Sequence, residues 1–156
     1  MGLRIAGYEG TTQAAARPFM GRSFGPVVSA KLCGDGQTDL VDLLSMPRLH
    51  IASIPTDWAD WAREYGVALP ANGRDLSYGR SFHMVEAALN GLGVGIADQV
   101  YVAPEIAAGR LVAPLGFVSS PRDYLFMRAA DCRSKSADLF ERWLIAAGAQ
   151  ERPQSI

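Results

Sequence analysis

The chain has two histidines, His50 and His83, and two cysteines, Cys33 and Cys132. Neither histidine falls in a His/Cys/carboxylate spacing that holds zinc. The cysteines make no CxxC, so reduced thiols, either small buried residues or idle surface thiols, are expected. No metal site follows from these residues. Gly79-Arg-Ser-Phe-His83 carries a strand-like stretch into a helix-like one, as a nucleophile elbow does, but His83 stands where the second glycine belongs. A serine two residues from a histidine is not a triad without a third group to orient the base. Ser81 reads instead as a helix N-cap. The glycines of Gly91-Leu-Gly-Val-Gly95 close a helix and open a strand, whereas a dinucleotide fingerprint closes a strand and opens a helix. Close helix–strand packing is the better use for them. Neither catalytic residues nor a cofactor site is expected, and the chain does not read as an enzyme.

The elements around these residues follow from periodicity. After Ser81, the residues Met84, Ala87, Ala88 and Gly91 recur at helical spacing, and Asn90-Gly91 supplies the stop. Val94 and Ile96 among small residues suit a strand covered on both faces. Upstream, 3–8 reads as a strand, 9–13 as a Gly/Thr-rich connection and 17–21 as an irregular link. The run 23–29 is a strand whose Pro26 argues for an edge position or a strand start. Residues 34–37 form a turn, and Thr38 caps a helix over 39–44. Residues 49–54 are a strand, and Thr56 caps a helix over 57–65 that ends at Gly66. Trp58, Trp61, Ala62 and Tyr65 make an apolar stripe there, read as core packing rather than a stacking surface. A strand over 74–78 leads to Arg80. Beyond Asp98 a short helical segment is interrupted by Pro104, and 105–109 is a connection. Strands follow at 110–115 and 123–128, with a linker at 119–121. Ser134 or Ser136 caps a last helix with Leu139, Phe140, Trp143, Leu144 and Ala147 on its apolar stripe, ending at Gly148. Strands alternating with helices indicate an α/β fold.

At 156 residues the chain can bury one substantial core or two small lobes. With a net charge of −1 it carries no basic excess for nucleic acid. Lysine occurs only at Lys31 and Lys135. No charged n-region precedes an apolar core at the start, and no apolar run reaches spanning length. A soluble, cytoplasmic protein without membrane contact is expected.

Several ordered segments together resemble the effector-binding domain of LysR-type transcriptional regulators, most of all the branch that includes the glycine-cleavage activator. They are Leu3-Arg-Ile-Ala6, Ala16-Arg-Pro-Phe-Met20, Phe24-Gly-Pro-Val-Val-Ser29, Thr38-Asp-Leu-Val-Asp-Leu43, Trp58-Ala-Asp-Trp61 with Gly66-Val67, Glu86-Ala-Ala-Leu-Asn-Gly-Leu-Gly-Val-Gly95, Ala107-Ala-Gly-Arg-Leu-Val-Ala-Pro114, Tyr124-Leu-Phe126 and Phe140-Glu-Arg-Trp-Leu144. The order holds from residue 3 to about 148. The resemblance implies a type 2 periplasmic-binding-protein-like fold of two lobes with a ligand cleft between them. Residues 19–121 would form a complete lobe, 1–18 with 122–151 an incomplete one, and 152–156 a tail. The chain would cross between lobes after 3–8 and again near 119–124. The winged helix-turn-helix of the family is absent, so a truncated regulator that does not itself contact DNA is expected.

The implied function is sensing of a small, anionic effector, an amino acid or small carboxylate. Ser29 and Thr56 would donate hydroxyl hydrogen bonds, and Arg80 would pair with a carboxylate. Ser81, Phe82 and His83 would line a helix N-terminus, and Tyr8 would sit at the first crossover. An incomplete lobe leaves edges that pair with another chain, so a homo-oligomer is expected. The alternative is a regulator remnant acting as an oligomerisation or interaction protein without a ligand.

Overall fold

The computed structural model describes residues 2–6, 15–33, 38–71, 74–128 and 134–150. The chain divides into two compact units, Met1–Arg22 with Ser120–Ile156 and Ser23–Ser119. It therefore passes from the first unit to the second at Arg22–Ser23 and returns at Ser119–Ser120.

The second unit is a sheet covered on both faces. Its strands are β3 (Ser23–Ser29), β4 (Arg48–Ile51), β5 (Leu76–Tyr78), β6 (Val94–Asp98), β7 (Leu111–Val112) and β8 (Val118–Ser119). The order is β5-β4-β6-β3-β7, with β8 also on β3. β4 runs parallel to β5 and β6, and β3 runs antiparallel to β6, β7 and β8. The helices are α1 (Leu40–Ser45), α2 (Asp57–Tyr65), α3 (Ser81–Leu89) and α4 (Gln99–Ala107). Strand alternation sorts the core into two layers. Phe24, Val28, Val94 and Ile96 pack with Leu43, Leu44, Trp58 and Trp61. Val27, Leu49, Ile51 and Ala97 pack with Met84, Val85, Ala88 and Val102 on the other face. The tryptophan stripe is thus core, with Trp58 Nε1 donating to the Leu49 carbonyl at 3.1 Å. Tyr65 stacks on Trp61 at 5.0 Å but stays exposed.

Small residues on β6 let α3 approach. A Cβ at Gly95 would overlap Met84 Sδ and lie 3.3 Å from its Cε, so Gly95 serves helix–strand packing, whereas a Cβ at Gly93 would overlap the Pro47 carbonyl oxygen. α3 ends as expected: Gly91 takes φ +76°, its N–H donates to Ala88 and that of Leu92 to Ala87, a Schellman ending.

Several expectations are corrected. Pro26 is not at an edge, because β3 lies between β6 and the β7/β8 side. Pro26 pairs with Ile96 of β6, and on its other side it falls in the gap between β8, which pairs at Ser23–Phe24, and β7, which pairs at Val28–Ser29, so that side makes no demand on its missing N–H. The cap of α1 is Asp39, not Thr38, its carboxylate accepting from the Asp42 N–H at 2.8 Å. The residue before α3 is Arg80, and Ser81 is already helical. α4 continues through Pro104, held by the buried Val102 and closed at Gly109 by a second Schellman ending; 105–109 is not a separate connection.

The first unit has strands β1 (Gly2–Ile5), β2 (Ala15–Met20) and β9 (Tyr124–Arg128) in the order β1-β9-β2, all pairs antiparallel. The expected irregular link at 17–21 is largely strand. β2 is an edge strand with a register shift between Pro18 and Met20, which is where a proline is tolerated. Helix α5 (Lys135–Gln150) packs on β2 and runs through Gly148 instead of ending there. Gly148 is buried, and a Cβ would overlap the Phe19 carbonyl oxygen. The glycine serves close approach of helix to strand. Leu139, Phe140 and Trp143 on α5 are exposed. Tyr8, Cys132, the connection at 9–13, the turn at 34–37 and the tail lie outside the described residues; Cys33 is a buried free thiol. No helix among the described residues is long and apolar enough to cross a membrane.

Candidate functional site

Parallel strands followed by helices bring helix starts to one end of a sheet. β4 leads into α2, β5 into α3 and β6 into α4, so all three helices begin at the carboxyl end of these strands. The Ala52 N–H donates to the Tyr78 carbonyl at 2.8 Å, which holds the two exit loops side by side. Ligands of open α/β sheets bind outside this end.

The first N–H groups of a helix are unpaired and carry the positive end of its dipole. None of the three N-cap residues, Thr56, Arg80 and Asp98, places its own side chain on those N–H groups. The three starts differ in charge. α2 has Asp57 and Asp60 in its first turn, and α4 follows the carboxylate of Asp98. α3 has no acidic residue in its first turn and follows a cation, Arg80. Its start therefore favours a bound anion, by about 0.3–1 kcal/mol from the dipole alone.

Arg80, Phe82 and His83 are exposed here and Ser81 is half-buried. Phe82 is 57 % exposed and meets the His83 ring edge-on, centroids 5.8 Å apart. Thr56 lies at the same end of the sheet, but its hydroxyl donates to Asp60 Oδ2 at 2.8 Å. Asp60 also accepts from Arg63 at 3.0 Å, and this bond, followed by that to Glu64, raises the Arg63 pKa above its ordinary value.

The structure separates Ser29 from this group. β3 is antiparallel to β6, with Phe24 opposite Asp98 and Val27 opposite Gly95, so Ser29 lies at the far end, buried beside Leu111. Arg80, Ser81, Phe82 and His83 share the start of α3, and Thr56 lies at the same sheet end. Asp98 was not among the expected site residues, although its strand-to-helix junction is visible in the sequence. A recess of about 290 Å³ is lined by His50, Ile51, Ala52, Pro55, Asp75, Leu76 and Ser77 and includes none of the expected residues. Among the described residues no group of three His, Cys, Asp or Glu side chains is placed to hold a metal.

Comparison with known proteins agrees with this architecture. The chain is 39 % identical over 127 residues to the HTH-type transcriptional regulator TrpI of Pseudomonas aeruginosa, covering 77 % of the chain and 42 % of the relative. It is 29 % identical over 113 residues to the glycine cleavage system transcriptional activator of Escherichia coli, covering 71 % and 37 %. The chain thus spans about two fifths of the length of these curated relatives. The AmpR effector binding domain from Citrobacter freundii superposes with a TM-score of 0.80 at 23 % identity, over 95 % of this chain and 74 % of that one. That likeness fixes the fold as the α/β, type 2 periplasmic-binding-protein-like fold of LysR effector domains. The family model described as the LysR substrate binding domain matches residues 5–149, and the chain belongs to that family.

Proposed function

We propose that the chain is the effector-binding module of a LysR-type transcriptional regulator and takes a small anionic metabolite, an amino acid or small carboxylate. It works by binding, without making or breaking bonds. The observation that carries this reading is the start of α3, where the first N–H groups have no side-chain cap and no carboxylate of their own first turn, and Arg80 precedes them. Arg80 supplies a fork for a carboxylate, the N–H groups of the first turn supply further donors, and Phe82 offers an exposed apolar face. The module acts in the cytoplasm without touching DNA through these residues.

A thermal-shift screen against amino acids and small carboxylates tests the reading. A ligand that binds only the folded state at a hundred times its Kd adds about 2.7 kcal/mol of stability. The shift is expected to vanish in Arg80→Ala and to survive Ser29→Ala at the far sheet end. A flat screen of well-folded protein would reject the reading.

A second reading, an oligomerising interaction module without ligand, draws on the exposed Leu139, Phe140 and Trp143 of α5. It predicts a flat screen together with a mass in solution above that of one chain. A homo-oligomer is compatible with both readings.

A further inference from the structure

One buried charge in the second unit has no part in the site described above. Arg48 opens β4 with its side chain only 10 % exposed. Its Nε and a terminal nitrogen donate to the two oxygens of Asp75 at 3.1 and 3.4 Å. Its guanidinium carbon lies 6.0 Å from the centre of the Trp58 ring. His50, two residues further on β4, brings Nε2 to 3.3 Å from Asp75 Oδ2, although the contact is not aligned as a hydrogen bond and that nitrogen has no hydrogen-bond partner among the described residues. Two side chains of β4 thus close on one carboxylate immediately ahead of β5.

Asp75 is 43 % exposed, so the pair is only part-buried and solvent-screened and contributes little net stability; the best-attested use of such a pair is to fix register. β5 needs such a device. It is three residues long and, among the described residues, stands at the sheet edge and pairs only with β4. A short parallel edge strand of this kind fixes its own register weakly. From Tyr78 the chain needs only Gly79 to reach Arg80 and the first turn of α3. A slip of β5 along β4 would carry Arg80 and those N–H groups with it.

We propose that Arg48 and Asp75 are positioning residues for the anion site: their forked pair locks the register of β5 on β4 and so sets where Arg80 and the α3 N-terminus stand. The inference rests on the effector-site reading given above. The recess beside the cluster is then a by-product of the lock and requires no ligand.

The test uses the full chain, inorganic sulfate as the anion and chloride at matched ionic strength as the control. Binding is followed by the backbone amide resonances of residues 81–83, well below the melting temperature. In the wild type these are expected to shift saturably with sulfate and not with chloride. Asp75→Asn, which keeps the side-chain size but weakens the fork, is expected to weaken sulfate binding about tenfold through misplacement of the site. Arg48→Lys keeps the charge but cannot make the two-bond fork, and is expected to do the same if D75N folds poorly. Asp75→Glu, which retains a carboxylate, is expected to recover most of the affinity. A merely structural pair would lower the melting temperature and leave the sulfate affinity of the folded protein unchanged. Wild-type affinity in folded D75N or R48K would therefore overturn the positioning role while leaving the anion site standing. An absence of saturable shifts in the wild type would overturn the anion site itself, and the positioning role with it.

Discussion

Gly148→Ala sets two effects of opposite sign against each other. Gly148 lies inside α5, and alanine in a helix interior is favoured over glycine by about 1 kcal/mol. A helix free on that side would gain this. Here the added Cβ would overlap the Phe19 carbonyl oxygen of β2 and lie 2.9 Å from the carbonyl carbon. The obstacle is backbone, so no rotamer change relieves it; α5 must lift away from β2 along its C-terminal turn. Overpacking of this kind costs about 1–3 kcal/mol. With the cost near the upper end, the net loss is about 2 kcal/mol. At a urea dependence of about 2 kcal/mol per molar, the midpoint falls by about 1 M. Urea unfolding should be read at an α5 amide by hydrogen exchange, so that the first unit is followed separately from the second. A G148A protein as stable as the wild type, or more stable, would refute the packing argument and leave helix propensity as the governing term.

Asp39→Ala removes the carboxylate that caps α1 and should cost about 1 kcal/mol, whereas Thr38→Ala should cost little; equal losses in chemical denaturation would contradict the cap assignment. Trp58→Phe and Trp61→Phe remove the same volume from the same core. Trp58 donates to a buried carbonyl, while Trp61 Nε1 has no hydrogen-bond partner among the described residues. Trp58→Phe should therefore be the more destabilising in thermal unfolding, by about 1–3 kcal/mol, and the reverse order would count against that bond.

Features set by neighbouring residues were legible in the sequence, and features set by distant partners were not. Gly66 and Gly91 end their helices because left-handed φ values of +83° and +76° are a local demand, and glycine announces it. The run from Arg80 to His83 was legible as a helix start for the same reason. β2 was not, because Arg17 and Pro18 break the alternation; the strand exists since β9 has a second edge to fill. Pro26 misled because the gap between β7 and β8 is a tertiary fact, as is the carbonyl that makes Gly148 a packing residue. The sheet end at which Ser29 lies was not legible either, because strand direction cannot be read from composition and the antiparallel run of β3 sends that serine to the end away from α3. The Arg48–Asp75 fork joins residues 27 apart and leaves no pattern in sequence.

The pairing of Ser23 with Ser119 makes the second unit a closed insertion within the first. Consider what this means for Met20 and Tyr124, which face each other across β2 and β9. In an unfolded chain, bringing them together closes a loop of about 100 residues, at an entropic cost of about 4 kcal/mol. Once β3 and β8 are zipped, both ends of that loop are already side by side and the cost has been met. Assembly of the host sheet is thereby made less costly once its guest has formed. A lesion in the seam between β3 and β8 would be felt as a delay in forming β2 and β9, strands that it does not contain.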